Sequence, residues 1–564
     1  MKRTLPVVFL LGVVPMLGRG QAPVLLSTVP GANSLSGPRT GPLSLLFSQP
    51  VANPTAIRVS SNMRKGLRPG TFSGVGTRQV AFQPSQPFAP GERVSLTVPA
   101  AVSSPGRVVE FRAAAGRGAA TFSPPVTIAP GPMASPESVA AADVDNDGDM
   151  DLLVAEYQST GVTICLNDGT GQFTPRPNRV VTVNQPEKIK LADFNGDGAL
   201  DLLSYVTNNS PEVVLNLGDG QGGFQGRTSL LRPNFHHSVA TGDFNADGLA
   251  DVVVASPSVS GTGLGTLHFL PGTSSGVMPQ ASTSPLTLGY DGLDAADMDG
   301  DGDLDLLLVT SNELSISLND GTGQFTAGAS VSINSGARTV TTGDFTGDGF
   351  PDVVCSNQLS ANLSLVPGDG SGGLLPRRNV AALSRTGILN SADMDGDLDL
   401  DLLVTNDRGI TQVLLNNGAG QFSPASAVLI GLEPFFTADA ADLNGDGSLD
   451  VYTGHNQWGP NFHGIDIFFN QAPTVSSTKR SAPLDVSLSP NPAHGQTQLQ
   501  LPPSTGVMSI EILDLLGRVV QTVPTVASPG RESIMLPLVG LRPGLYLVQV
   551  RTRTGRSQTR LEVE

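Results

Sequence analysis

The chain has 564 residues, enough for several domains. It carries 33 Lys and Arg against 50 Asp and Glu, a formal charge of −17, and that acidic excess disfavours nucleic-acid binding, which draws on Lys and Arg. Gly (66) and Pro (44) are abundant; both interrupt helix interiors, which argues against long helices and coiled coils, and Gly has no three-residue period, so collagen is excluded. With 39% hydrophobic residues the chain can build cores, and short apolar runs between Gly/Pro turns predict an all-β fold.

Residues 1–22 read as a signal peptide: Lys2 and Arg3, an apolar run from Leu5 to Leu17, then Gly18, Gly20 and Ala22. The run is shorter than the ~20 residues a spanning helix needs. No later stretch is a transmembrane candidate, so an exported chain is expected. Residues 23–115 hold strand-like segments around Leu46-Phe47-Ser48-Gln49-Pro50-Val51 and Val80 to Pro84. Pro87-Phe88-Ala89-Pro90-Gly91-Glu92 precedes the strand Arg93 to Val98. Short strands with Pro/Gly turns predict a β-sandwich, and these motifs resemble those of bacterial Ig-like domains.

A repeat organises the middle of the chain. Seven Asp-rich segments share the pattern D-x-[D/N/T]-x-D-[G/L]-x-x-D, followed by an apolar triplet such as Leu152-Leu153-Val154. Their first residues lie 50, 50, 54, 47, 49 and 49 residues apart. About 15–25 residues beyond each comes a Gly-rich turn in most units, such as Asn167 to Phe173, Asn319 to Phe325 and Asn416 to Phe422, a hairpin signal. One unit therefore reads strand, Asp loop, strand, variable loop, strand, hairpin, strand, the arithmetic of a propeller blade. The seventh unit stops at Gln471-Ala472-Pro473 without its fourth strand. Ala120 to Pro124 looks like the start of that missing strand, so residues 119–130 are expected to complete the last blade. The expected architecture is a seven-bladed β-propeller over 119–472, flanked by two β-sandwiches.

Oxygen ligands at loop positions 1, 3 and 5, a Gly at 6, a carbonyl at 7 and a carboxylate at 9 describe a calcium site. The expected ligands of the first loop are Asp143, Asp145, Asp147, Asp149 and Asp151. Those of the second are Asp193, Asn195, Asp197, Ala199 and Asp201; of the third, Asp243, Asn245, Asp247, Leu249 and Asp251. The fourth offers Asp297, Asp299, Asp301, Asp303 and Asp305, the fifth Asp344, Thr346, Asp348, Phe350 and Asp352. The sixth offers Asp393, Asp395, Asp397, Asp399 and Asp401, the seventh Asp442, Asn444, Asp446, Ser448 and Asp450. Position 7 varies because only its carbonyl is used. An EF-hand is rejected, since position 12 falls on strand residues such as Val154 rather than on Glu. Loops one and four, with Asp throughout, are expected to bind most tightly. Thr346 is a poorer ligand, and Leu398 stands where Gly belongs. Up to seven structural Ca²⁺ ions are expected. The odd loop positions hold 27 of the 50 acidic residues, so the charge is concentrated in these cages.

These repeats resemble the FG-GAP/VCBS family, whose blades build the propeller of integrin α chains and of many exported bacterial proteins. The resemblance implies structural calcium and does not fix a partner. Residues 473–482 read as a linker rich in Ser, Thr and Pro. In residues 483–564, Leu488-Ser489-Pro490-Asn491-Pro492-Ala493, the run Ile510 to Val520 and Leu541-Arg542-Pro543-Gly544-Leu545-Tyr546 are similar to the sorting domain of type IX secretion substrates of Bacteroidetes-type bacteria. This implies passage through that machinery, then release or attachment at the outer surface.

No motif for a hydrolase elbow, a zinc protease or a phosphate loop occurs. Cys165 and Cys355 fall in different, non-adjacent units and are expected to be buried free thiols. The loops between strands two and three, and those leading to the next blade, fall on the face opposite the Asp loops. They gather Tyr157, His236, His237, Arg408, His455, Trp458, Phe462 and His463, aromatic and polar types suited to recognition. The favoured expectation is a non-catalytic, secreted or surface protein that binds an extracellular protein or glycan. The alternatives are an extracellular polysaccharide-acting enzyme using the variable face, and a structural envelope protein.

Overall fold

The computed structural model describes residues 22–129, 136–157, 160–207, 210–233, 238–257, 265–286, 291–430, 435–456, 463–471, 487–489, 493–500, 507–513, 519–523, 533–538, 540–541, 544–552 and 555–563. The proposed signal peptide (apart from Ala22) and linker lie outside the described residues. The chain is all-β: among the described residues the only helical element is the 3-10 turn Pro54–Ala56.

Residues 22–118 form two antiparallel sheets, one of four strands and one of three, around a single core. Alternation of apolar and polar residues sets the inward face. In Leu43–Phe47 the side chains of Leu43, Leu45 and Phe47 are buried, while those between them are half-buried. The described C-terminal residues form a three-stranded and a four-stranded sheet around a second core that includes Leu499, Ile510, Ile512, Val548 and Val550.

In the chain between them the described residues form seven antiparallel sheets. The first contains Pro136–Ala142, Asp151–Glu156, Gly161–Asn167 and Phe173–Pro175, with Val180–Val181 also pairing onto its third strand. The next five each take four consecutive strands in sequence order. The seventh takes Phe435–Ala441, Asp450–Asn456 and His463–Phe468. Its fourth strand is Val126–Ile128, which pairs Ile128 with Ile465 and Val126 with Ile467. Ser123 and Gln471 extend this junction: the Gln471 amide donates to the Thr121 carbonyl at 2.8 Å.

The second strand of each sheet explains the packing. It is buried on both faces, so its apolar run is continuous. Successive residues point to opposite neighbours. Leu152 and Val154 pack against the seventh sheet, Leu153 and Ala155 against the second. Leu202 continues the contact with the first sheet, and Leu203 faces the third. The same alternation runs through Val252 and Val253, Leu306 and Leu307, Val353 and Val354, and Leu402 and Leu403. Val451 then packs back on the sixth sheet and Tyr452 on the first. The order of packing is therefore cyclic. The first strands of the seven sheets line a polar cavity of about 390 Å³, which Asn62, Met63, Pro90, Arg93 and Arg112 of the N-terminal unit also line.

Cys165 and Cys355 are free and buried in separate sheets. Burial pushes both thiols up, Cys165 to about 12.

Leu153 is fully buried between two sheets and Val126 is 45% exposed on an outer strand. Leu153→Ala is expected to cost about 2–5 kcal/mol and Val126→Ala under about 1 kcal/mol. Urea denaturation of the two variants checks the contrast.

Candidate metal centres

Each Asp loop joins the first and second strands of its sheet, and one hydrogen-bond scaffold recurs in all seven. The position-nine carboxylate starts the second strand and is fully buried in each case (Asp151, Asp201, Asp251, Asp305, Asp352, Asp401, Asp450). One of its oxygens accepts the amide of position two, from Val144 to Asp151 at 3.1 Å in the first loop and from Leu443 to Asp450 at 3.0 Å in the last. Its other oxygen accepts the amide at or just past the end of the third strand: Asn167, Gly218, Gly272, Asn319, Gly368, Asn416 or Asn470. Position nine thus ties the loop to the hairpin arm before any ion is considered.

The position-one carboxylate accepts the amide of position six in every loop, for example Gly198 to Asp193 at 2.9 Å and Leu398 to Asp393 at 3.1 Å. Position five accepts the amide of position seven, as from Asp149 to Asp147 at 3.0 Å. These bonds wrap the chain into a tight turn that needs left-handed backbone at positions four and six. Position six is Gly at φ near 90–104° in six loops and Leu398 at φ 73° in the sixth. Position four is Gly in five loops, and Asn146 (φ 65°) and Ala246 (φ 53°) in the others. The demand at position four escaped the sequence reading.

Three loops bring carboxylates within metal-ligating reach of one another: Asp143, Asp145 and Asp151; Asp297, Asp299 and Asp305; and Asp393, Asp395 and Asp401. These are the loops with Asp at position three. The sixth therefore groups with the first and fourth despite Leu398. Asp143 Oδ1 and Asp442 Oδ1 are buried and accept no hydrogen bond within bonding geometry. An acceptor-only group so placed suits a hard cation.

The electrostatics agree. Burial first, and neighbouring loop carboxylates second, push Asp243, Asp297 and Asp393 up to about 7. Burial does the same to Asp151, Asp201, Asp305, Asp352 and Asp450, and takes Asp401 to about 9. These groups ionise reluctantly without a compensating positive charge.

The model of the FG-GAP-like repeat matches residues 101–154, 145–204, 193–254, 297–355 and 393–453. The chain carries FG-GAP-like repeats. The five matched stretches together contain all seven Asp loops. Residues 487–564 match the secretion system C-terminal sorting domain. This is a β-propeller-like protein handled by the type IX machinery and exported to the cell surface or the medium. No helix among the described residues is long and apolar enough to cross a membrane. No curated protein matches the chain. Two solved structures are similar to parts of it. One concerns specific recognition of non-reducing terminal N-acetylglucosamine by an Agrocybe aegerita lectin (19% identity, 58% of this chain and 79% of the other, TM-score 0.29). The other is BBS1N in complex with ARL6DN, soaked with lead (11% identity, 64% and 100%, TM-score 0.45).

Neighbouring FG-GAP-like repeats are stitched by a residue the sequence reading used only as a turn marker. Asn167, Asn319, Asn416 and Asn470 each donate from Nδ2 to the position-two carbonyl of the preceding sheet, at Leu443, Phe244, Phe345 and Met394. In two of the three sheets where Gly stands at this place, those of Gly218 and Gly368, a hairpin amide makes the link instead: Gly222 to the Val144 carbonyl and Gly372 to that of Met298.

The expected ligand-face residues fare unequally. Arg408 is exposed in the turn after Asn406, and Tyr157 is half-buried where the second strand of the first sheet ends. His455 is not on a loop. It is 1% exposed within Asp450–Asn456, with Nδ1 3.4 Å from an Asp466 carboxylate oxygen. Its strand is sandwiched between sheets, so its side chain is part of the packing. His463 begins the next strand. His236, His237, Trp458 and Phe462 lie outside the described residues.

Two measurements test the loops. Leu398→Gly removes a side chain from left-handed backbone and is expected to stabilise by about 1 kcal/mol, read from the urea midpoint. In excess chelator, the raised carboxylates hold protons in the folded chain that the unfolded chain releases between about pH 4 and 7. Stability contributed by these groups therefore falls as pH rises through that window. The urea midpoint is expected to be higher at pH 5 than at pH 8 without divalent cations, and this difference to shrink or reverse with calcium.

Proposed function

We propose that the chain is a calcium-stabilised, seven-bladed β-propeller with an Ig-like β-sandwich before it (23–115) and another within the sorting domain (483–564). It acts as a non-catalytic surface or secreted protein that binds an extracellular protein or glycan. The cyclic packing order and the strand Val126–Ile128 in the seventh sheet support the propeller.

Calcium is favoured by the donor set. Side chains at positions one, three and five, the carbonyl at seven and the carboxylate at nine are all oxygens, and the hard cation takes six to eight of them. A bound Ca²⁺ supplies positive charge to carboxylates that burial otherwise holds near neutral pH. Mg²⁺ suits the site less, because it keeps several waters.

The observation that carries the binding role is which face is left open. The N-terminal unit contacts the Asp-loop ends of the sheets: the Asp143 amide donates to the Met63 carbonyl, the Val108 amide to that of Gly302 and the Gly116 amide to that of Gly447, at 2.7–2.8 Å. A partner is therefore offered the opposite ends, where Arg408 is exposed, the face expected from the sequence to carry Trp458 and Phe462.

Calcium in large excess over Kd stabilises by several kcal/mol, about 2.7 per site at a hundredfold excess. The melting temperature is expected to rise with calcium, to fall in chelator and to be poorly restored by magnesium. An equal melt in chelator and calcium would sink the calcium reading. Arrays of glycans and extracellular proteins test the binding role. Trp458→Ala and Arg408→Ala are expected to lose the signal at least tenfold with calcium binding unchanged, and full retention by both variants removes this face.

A further inference from the structure

The N-terminal unit does more than touch the loop face. It meets all seven loops, by a hydrogen bond to a position-one carboxylate or a position-six carbonyl in six of them and by close backbone approach in the sixth loop. In the first loop Arg64 Nη2 donates to the Gly148 carbonyl. In the second the Leu67 amide donates to Asp193 Oδ2 at 2.9 Å, and in the third Thr97 Oγ1 donates to Asp243 Oδ2 at 2.6 Å. The Val108 amide holds the Gly302 carbonyl of the fourth at 2.7 Å, and Asn33 Nδ2 the Gly349 carbonyl of the fifth at 3.4 Å. At the sixth, the Gly116 carbonyl would lie 2.6 Å from a Cβ placed on Gly396. At the seventh the Gly116 amide donates to the Gly447 carbonyl at 2.7 Å.

Four of these acceptors are position-six carbonyls, and two are position-one carboxylates. The approach is close: a Cβ on Gly66 would fall 1.8 Å from Asp193 Cβ. Charge favours the contact. Residues 22–118 hold ten Lys and Arg and only two acidic residues, whereas residues 119–471 hold 42 acidic and 11 basic ones. Arg64 acts on Asp143, Arg107 on Asp301 and Asp303, and Arg39 on Asp442.

We propose that docking of the N-terminal unit and cation binding by the Asp loops are thermodynamically coupled, with Thr97 and the Leu67 amide as positioning groups that hold Asp243 and Asp193 in ligating orientation. The proposal rests on the calcium reading above. Asp193 and Asp243 are shared directly, and the position-six carbonyls adjoin the position-seven ligand, so whatever fixes these groups for one partner lowers the ordering cost for the other. By linkage the effect is reciprocal: calcium tightens docking, and docking tightens calcium. The loop backbone changes least where position nine already clamps it, so the coupling runs through positions one and six. Buried Asp143 Oδ1, on a residue 6% exposed and with no hydrogen bond of good geometry beyond the nearby Asn146 amide, points to a cation within that arrangement.

Hydrogen exchange on the whole mature protein tests this, because three amides are protected only by docking: Leu67, Val108 and Gly116. In calcium they are expected to exchange slowly. In chelator, at a temperature where the sheets remain folded, they are expected to exchange at least tenfold faster, and added salt should speed them further. Thr97→Val keeps the shape and removes the donor, and it is expected to weaken one calcium class at least threefold by calorimetry. Gly66→Val, which wedges the contact at the second loop, should do the same and expose residues 114–119 to protease. Unchanged protection of the three amides in chelator, with loop amides such as Gly198 and Gly248 released, overturns the coupling and leaves calcium binding standing. Absence of calcium binding to the parent protein overturns both. Unaltered calcium affinity in both variants overturns the coupling even if one variant is less stable.

Discussion

The buried position-nine carboxylate is the constraint on which the repeats depend. Each of its oxygens is occupied by a backbone amide, one from its own loop and one from the end of the third strand. A single side chain therefore sets the turn between the first two strands and its distance from the hairpin arm. No neutral residue replaces it well. Asn offers one acceptor and would turn an NH₂ towards an amide donor, leaving a buried donor without a partner at a cost of about 1–3 kcal/mol. The same choice creates a difficulty, because a fully buried carboxylate resists ionisation. Further carboxylates at positions one, three and five worsen it by repulsion, and only a cation or protons relieve it. The metal-site character of the loop thus follows from the way the loop is built.

The clamp also sets the relation between sheets. Once the loop end is fixed, its position-two carbonyl faces the neighbouring hairpin. Asn at the end of the third strand reaches across to it in four sheets, and a Gly-flanked amide does so in two. The two solutions are alternatives on steric grounds. A Cβ on Gly218 would lie 2.1 Å from the Leu200 carbonyl, and one on Gly368 would lie 2.3 Å from that of Pro351. Hydrophobic burial then supplies the bulk of the cohesion, at about 25 cal/mol per Å² of apolar surface. The second strands contribute most, since both of their faces are covered.

Much of this was legible in the sequence because it is local and repeated. The period of roughly 50 residues, the apolar triplet after each loop and the Asn-Asp-Gly turns each report a short-range constraint. Seven copies reinforce each signal. The carboxylate trios that could hold a metal ion were visible for the same reason, as residues two and six apart on one turn. What was not legible is long-range. Position four accepts Asn146 and Ala246 as well as Gly, so its backbone requirement is hidden by side chains that tolerate it at a cost. His455 looked like a loop residue because Trp458 and Phe462 follow it, yet it sits inside a strand against Asp466. The link from Thr97 to Asp243 spans 146 residues. No pattern along the chain announces it, since a Thr in a strand is ordinary.

The net charge of −17 conceals this last relation. Averaged over the chain it suggests a mildly acidic protein. Divided by unit, it is a strongly acidic array of loops facing a basic N-terminal unit. Over exposed surfaces such a contrast would be screened within about 8 Å at physiological ionic strength. Here the two units meet at hydrogen-bonding distance in a partly buried interface, with the arginines close enough to act on the loop carboxylates without forming, among the described residues, ion pairs to them. Arg64 shows the geometry: it lies against the Gly148 carbonyl and lowers Asp143, in competition with the burial that raises it. One guanidinium over a loop of five carboxylates neutralises only part of the charge, so docking alone leaves the cage in need of a divalent ion. Conversely, a loop that has bound one Ca²⁺ keeps a net negative charge in the first, fourth and sixth repeats, each with five Asp. A basic unit would therefore still be attracted to loops that had bound ions. On the proposed calcium reading, cation and N-terminal unit would act on the same loops as complementary charges, and neither would displace the other.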